Sequence, residues 1–168
     1  MNPTTFEDRI AKMNRMYKLP TYEVNSPELS CHMNRDKVSN LLLNFRSILV
    51  EELNELNDIV KEVQDPQHRT KPINETGFLT AMADLLGDLT VYIASEAVKY
   101  RIPLPEVLEI IMDSNESKLG QDGEPIYDSR GKFQKGPNYW KPEPKIEALI
   151  DHQRIRRLAL DQMTYLKP

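Results

Sequence analysis

Three glutamates within five residues, Glu51, Glu52 and Glu55, are the most distinctive chemical feature of this 168-residue sequence. They stand in a segment whose apolar residues have helical spacing, and residues four apart share one face of a helix. Glu52 falls within the apolar stripe itself, where a core side chain is expected. Acidic side chains are rarely buried unless something positive compensates them. A solvated acidic face would explain Glu51 and Glu55 but not Glu52, so we interpret the cluster as ligands for a cation.

A second acidic pair, Asp84 and Asp88, supplies the only charged residues between positions 77 and 95. The spacing of four places both carboxylates on one face of a helix. Two facing helices would then direct four or five carboxylates into one small space. Oxygen ligands without His or Cys partners favour Mg²⁺, with Mn²⁺ as a substitute, over Zn²⁺. The alternative is that one aspartate caps a helix or pairs with an arginine.

Multi-carboxylate magnesium sites usually cleave phosphoanhydride or phosphodiester bonds. One ion polarises the phosphoryl oxygen, another lowers the pKa of an attacking water, and a spare carboxylate accepts the proton. A di-iron site is disfavoured because it needs Glu-x-x-His on its helices. No glutamate stands three residues before His32, His68 or His152.

A basic and aromatic run follows later in the chain, from Lys132 through Lys135 and Gly136 to Tyr139 and Trp140. Lysines act as point charges for phosphates, glycine allows close approach of the backbone, and aromatic rings can stack on a base. The run therefore suits a phosphate-and-base pocket, although surface lysines are common.

Five helices are needed to position these groups. The caps and prolines predict a first helix from Thr4 or Thr5 to about Tyr17, a second from Asn34 or Asp36 to about Val63, a third from Asn74 or Glu75 to about Tyr100, a short fourth from Pro103 or Pro105, and a last from about Lys145 to Leu166. Between positions 120 and 140, Asp-Gly and Arg-Gly steps predict a small hairpin or an ordered loop. The expected fold class is all-α, a helical bundle with a four-helix-type core.

The third predicted helix is apolar on almost every side, which indicates burial on both sides and suggests oligomerisation. One apolar face comprises Leu79, Met82, Leu86, Leu89 and Ile93.

The overall composition bounds the class of protein. Net charge is −4 and the pI is about 5.5, which argues against a general binder of polymeric nucleic acid. The single Cys31 cannot form an intramolecular disulfide, and the N-terminal residues include Glu7, Asp8 and Arg9 rather than an apolar run. We therefore expect a cytoplasmic protein without a membrane partner.

The acidic pattern, Glu51-Glu52-x-x-Glu55 followed by Asp84-x-x-x-Asp88, resembles the MazG-like, all-α nucleoside triphosphate pyrophosphohydrolase superfamily. The later runs at 114–120, 122–127 and 131–139 resemble its single-domain members, which are related to phosphoribosyl-ATP pyrophosphohydrolase. The resemblance covers about residues 36–142. We expect residues 1–168 to form one domain, because their number is that of about one ordinary domain, with this stretch as the core and with flanking N- and C-terminal helices.

The resemblance also implies a homodimer or homotetramer that cleaves an NTP or dNTP with Mg²⁺ between the α- and β-phosphates. The products are a nucleoside monophosphate and pyrophosphate, and the use is house-cleaning of the nucleotide pool. The residues that match the family are Glu51, Glu52, Glu55 and Asp88 as metal ligands, Asn115 and Lys118 beside the phosphates, and Lys132, Lys135 and Tyr139 in the late motif. Glu52 and Asp88 would be core ligands and Glu51 or Glu55 the base, with Lys118 as a further catalytic residue.

One position departs from the family pattern. The second acidic motif usually reads Glu-x-x-Asp, but Leu85 stands three residues before Asp88 and Ala81 three before Asp84. We expect Asp84 to take the missing role, because it shares a face with Asp88. The missing glutamate also motivates an alternative, a degenerate member that binds a nucleotide or a protein partner without turnover. A structural helical adaptor is disfavoured because it has no need of aspartates inside an apolar helix.

Overall fold

The structure, a computed structural model, describes residues 5–19, 35–65 and 72–165. Cys31, His32, His68 and residues 66–71 of the polar connector lie outside this description. The regular elements of the described ranges are all helical, which confirms the all-α prediction. They are α1 (Phe6–Met16), α2 (Arg35–Gln64), α3 (Glu75–Lys99), α4 (Leu104–Glu116) and α5 (Glu143–Tyr165).

Local side-chain chemistry sets the helix starts. Thr5 caps α1: its hydroxyl accepts a hydrogen bond from the Asp8 amide at 3.1 Å, while the Asp8 carboxylate accepts one from the Thr5 amide at 2.9 Å. These bonds from the Thr5 backbone and side chain hold the pKa of Asp8 below its ordinary value. Asn74 caps α3, its Oδ1 accepting from the Gly77 amide at 3.2 Å. Pro105 stands in the first turn of α4, where its missing N–H leaves no bond unmade.

The chain divides into two compact units, Met1–Arg101 and Ile102–Pro168. In the first unit, α3 contacts both α1 and α2. A buried polar pair joins α1 to α3: the Asn14 amide nitrogen donates to the Ser95 carbonyl at 3.1 Å, and the Ser95 hydroxyl donates to the Asn14 Oδ1 at 2.8 Å. Ile10, Leu85 and Ala94 are buried in the same unit.

In the second unit, α4 contacts α5, and the chain after α4 folds back on the end of that helix. The Ser114 hydroxyl donates to the Trp140 carbonyl at 2.9 Å, and the Gly136 amide donates to the Lys118 carbonyl at 2.8 Å. A side chain at Gly136 would place its Cβ within 2.0 Å of the Leu119 carbonyl oxygen, so only glycine fits there.

The residues between α4 and α5 form an ordered loop, the second of the two forms predicted for this stretch. One antiparallel bridge, between Tyr127 and Phe133, closes its tip, and the two rings meet edge to face at 5.8 Å. Gly131 has a φ of 75°, a left-handed conformation that the turn before the bridge requires. The loop therefore has a defined shape, although the described residues contain no β-strand beyond this single bridge.

Helix α3 is less buried than its composition predicts. Leu85 is 4% exposed, whereas Leu79, Leu86 and Ile93, which belong to the predicted apolar face, are 55%, 56% and 44% exposed. The α3 surface that packs within the unit is a different one, which includes the small residues Ala94 and Ala97. By length and composition alone α3 is also long and apolar enough to cross a membrane, a property that core helices share.

Candidate metal centre

Glu52 points into the first unit from the packed side of α2. Its side chain is 5% exposed, whereas the neighbouring Glu51 and Glu55 are exposed. Leu56 and Ile59, four and seven residues further along, are half-buried on the same side of the helix. The structure thus confirms that Glu52 occupies a position in the apolar stripe.

One carboxylate oxygen of Glu52, Oε2, is buried and has no hydrogen-bond partner among the described residues. Burial raises the pKa of Glu52, and the negative charges of Glu55, Asp88, Glu51 and Asp84, in that order, raise it further. The other four acidic residues singled out from the sequence therefore all act electrostatically on Glu52. No positive group among the described residues acts on the Glu52 carboxylate, so its burial costs free energy.

Asp84 and Asp88 lie on α3 with exposed side chains. In the described ranges neither side chain caps a helix, makes a hydrogen bond or pairs with an arginine or lysine. The structure therefore lends no support to the alternative that one of them is a cap or an ion-pair partner. Their negative charges do raise the pKa of Glu52.

The carboxylates do not form a closed ligand set as they stand. Over the parts of the chain that the structure describes, no three Asp, Glu, His or Cys side chains are close enough together to hold a metal ion. The arrangement is one buried acceptor with four exposed carboxylates around it. The assignment of Glu51, Glu52, Glu55, Asp84 and Asp88 as ligands stays a prediction.

Tyr92 was missed by sequence reasoning. Burial, followed by the charges of Glu52 and Asp88, raises its pKa, so the phenol stays neutral and keeps a proton to donate. It follows Asp88 by four residues, as Asp88 follows Asp84, so the three share one face of α3. The spacing of four residues is the sequence feature that could have placed Tyr92 beside the two aspartates.

The predicted phosphate-binding residues all belong to the second unit. The Lys118 ammonium donates to the Asn115 Oδ1 at 2.6 Å, one turn apart at the end of α4. The Lys135 ammonium lies over the Tyr139 ring, 4.2 Å from its centroid. Lys132 is exposed, and its backbone amide donates to the Asp128 Oδ1 at 2.9 Å. These contacts show an organised basic loop, and the predicted roles of its residues stay untested.

A second cation–π contact in this unit has a bearing on base stacking. The Lys145 ammonium lies 3.6 Å from the centroid of the Trp140 ring. Each of the two aromatic side chains predicted to suit a base therefore has a lysine against one face of its ring. The sequence predicts Lys145 only as the start of the last helix, because its contact with Trp140 requires the folded loop.

No family model and no curated protein matches this chain. Among solved structures, the chain is similar to a "putative NTP pyrophosphohydrolase" from Exiguobacterium sp. 255-15. The two are 19% identical, the match covers 92% of this chain and 99% of that one, and the TM-score is 0.48. Because the identity and the TM-score are low, we draw the function from the residues of this chain.

Proposed function

We propose that this protein is a Mg²⁺-dependent nucleoside triphosphate pyrophosphohydrolase of the MazG-like superfamily. The observation that carries the proposal is Glu52, a buried carboxylate with an unpartnered oxygen and four acidic neighbours. A buried, unpaired acceptor costs free energy, and each such group calls for an explanation such as a missing ion. A bound cation supplies that explanation.

The residues present fit a hard divalent cation. Glu51, Glu52, Glu55, Asp84 and Asp88 offer only oxygen ligands, as Mg²⁺ and Mn²⁺ prefer. Four of the five are exposed, and their charges act on the buried fifth, Glu52. When bound, the cation would neutralise the carboxylates and polarise a phosphoryl oxygen of the substrate.

The chain's own residues supply the remaining chemistry. Glu51 or Glu55 takes the proton from the attacking water, because an exposed carboxylate not fully engaged as a ligand can act as a base. As water adds, the bridging P–O bond between the α- and β-phosphates breaks and pyrophosphate leaves. In the second unit, Lys118, whose ammonium donates to Asn115, and the lysines Lys132 and Lys135 carry positive charge of the kind that binds phosphate.

We also propose that the protein works as a homodimer or homotetramer in the cytoplasm. The exposed Leu79, Leu86 and Ile93 of α3 support a partner surface of the same chain. A bilayer is a poorer partner for this helix, since it would place Asp84 and Asp88 in the hydrocarbon region.

The test is pyrophosphate release from a panel of NTPs and dNTPs with Mg²⁺ or Mn²⁺. The key variant is Glu52→Gln, which keeps the shape and removes the charge. The matched control is Glu109→Gln, the same change at an exposed position of α4. We expect release by the wild type and the control, and a loss of at least about 100-fold in Glu52→Gln, as for disrupted metal sites. Equal activity in both variants would overturn the metal-site assignment.

A binding protein without turnover is the second candidate. Leu85, at the position where the family has glutamate, is 4% exposed and part of the core, so the family's ligand is absent. This candidate predicts that Mg²⁺ binds in a Glu52-dependent manner while no nucleotide releases pyrophosphate.

A further inference from the structure

A cavity of about 440 Å³ lies in the first unit, between the last turns of α2 and the first turns of α3. Its walls are mostly apolar and include Ile59, Val63 and Ile73, together with the Phe78 ring, which is 38% exposed. This volume is in the range of small-molecule sites. It is large enough for a heterocyclic base and part of a sugar.

The cavity begins one helical turn from the acidic cluster on both helices. Ile59 follows Glu55 by four residues on α2, and Ala81 precedes Asp84 by three on α3. One turn of helix rises 5.4 Å, which is comparable to the distance from a nucleotide's α-phosphate to its base. A nucleotide whose phosphates meet the carboxylates can therefore reach the cavity with its base.

The polar side chains of the cavity present one donor and one acceptor. Asn74 uses its Oδ1 to cap α3, so its amide nitrogen is left to donate. Gly77 makes room for this orientation, since a Cβ there would lie 2.9 Å from that nitrogen. Glu62 contributes an exposed carboxylate as acceptor. A planar, partly apolar ring with acceptors and donors at its edge, stacked near Phe78, complements this set.

We propose that this cavity binds the base of the substrate nucleotide and that Asn74 helps to determine base specificity. The inference rests on the proposed function for the position of the phosphates. In the late loop, a lysine lies over one face of both the Tyr139 and the Trp140 rings, which leaves a base at most the other face of each ring.

The test uses phosphate-free nucleosides, so that it does not require turnover. The backbone amide signals of Gly77 and Phe78 are followed by NMR in the full-length protein while each nucleoside is added. The variant is Asn74→Asp, which keeps the oxygen that caps α3 but replaces the donor by an acceptor. The matched control is Asn57→Asp, which adds the same charge at an exposed position of α2 outside the cavity.

We expect at least one nucleoside to shift both signals in a saturable manner. Asn74→Asp should raise the dissociation constant of that nucleoside about tenfold, the effect of one hydrogen bond. Asn57→Asp should leave the dissociation constant unchanged. This result supports the base site whether or not pyrophosphate is released. If pyrophosphate is released but no nucleoside shifts these signals, the base site is overturned and the proposed function stays intact. The same holds if pyrophosphate is released and the wild type and both variants bind the nucleoside with equal affinity. No nucleoside binding and no pyrophosphate release would overturn both.

Discussion

Two buried polar residues in the first unit, Asn14 and Glu52, meet burial in opposite ways. Asn14 is 1% exposed, and its side chain both donates to and accepts from Ser95. Glu52 is 5% exposed, and within the described ranges one of its carboxylate oxygens has no hydrogen-bond partner while the charges of four acidic residues act on it. The described part of the chain thus supplies hydrogen-bond partners for the Asn14 side chain but leaves one oxygen of Glu52 without a partner.

The difference separates a structural polar group from one that fits the proposed metal site. Satisfied hydrogen bonds let Asn14 join two helices at little cost in desolvation. An unsatisfied acid lowers stability in the apoprotein, so it persists where a ligand compensates it. Burial alone therefore does not mark a site, and the state of the hydrogen bonds does.

The largest expected effect on stability comes from breaking the satisfied pair. Asn14→Ala leaves the Ser95 hydroxyl without its acceptor and opens a cavity between α1 and α3. We expect the free energy of unfolding to fall by about 3 kcal/mol, measured by urea denaturation. Asn44→Ala, an exposed control on α2, should change it by less than about 0.5 kcal/mol. Similar losses of unfolding free energy in Asn14→Ala and Asn44→Ala would contradict a stabilising role for the Asn14–Ser95 hydrogen bonds.

The next effect comes from supplying the missing partner to Glu52. Mg²⁺ at 100 times its dissociation constant should raise the free energy of unfolding by about 2.7 kcal/mol if it binds only the folded state. We expect this gain in the wild type and in Asn44→Ala, but not in Glu52→Gln. A gain that survives Glu52→Gln, measured by thermal denaturation with and without EDTA, would place the metal elsewhere.

The smallest effect is the pH dependence of the metal-free protein. The pKa of Glu52 is raised on folding, first by burial, so its contribution to stability is complete below its ordinary pKa. That contribution is lost as the pH rises through the raised value. In EDTA, the wild type should therefore lose stability relative to Glu52→Gln as the pH rises. A difference that does not vary with pH would contradict the burial of an unpartnered Glu52.

The acidic residue at the α1 cap should behave in the opposite direction. The pKa of Asp8 is lowered by its hydrogen bonds with Thr5, so its contribution is present above its ordinary pKa and lost as the pH falls through the lowered value. Measured in the same titration, Asp8→Asn should remove this acid-side dependence and leave that of Glu52 unchanged.

The sequence by itself determined the features that depend on near neighbours. The caps at Thr5 and Asn74 and the helical spacing of Glu52 within its stripe were readable, because these interactions span three or four residues. The all-α class and most helix ends followed from them, to within one or two residues.

Only the tertiary structure decided what depends on distant residues. Asn14 and Ser95 are 81 positions apart, and no local sequence pattern predicts their hydrogen bonds. The rotation of α3, which buries Leu85 rather than Leu86, likewise results from contacts with α1 and α2. The unpartnered oxygen of Glu52 and the adjacent cavity exist only once these helices have packed, because burial is a property of the assembled unit and not of any single segment.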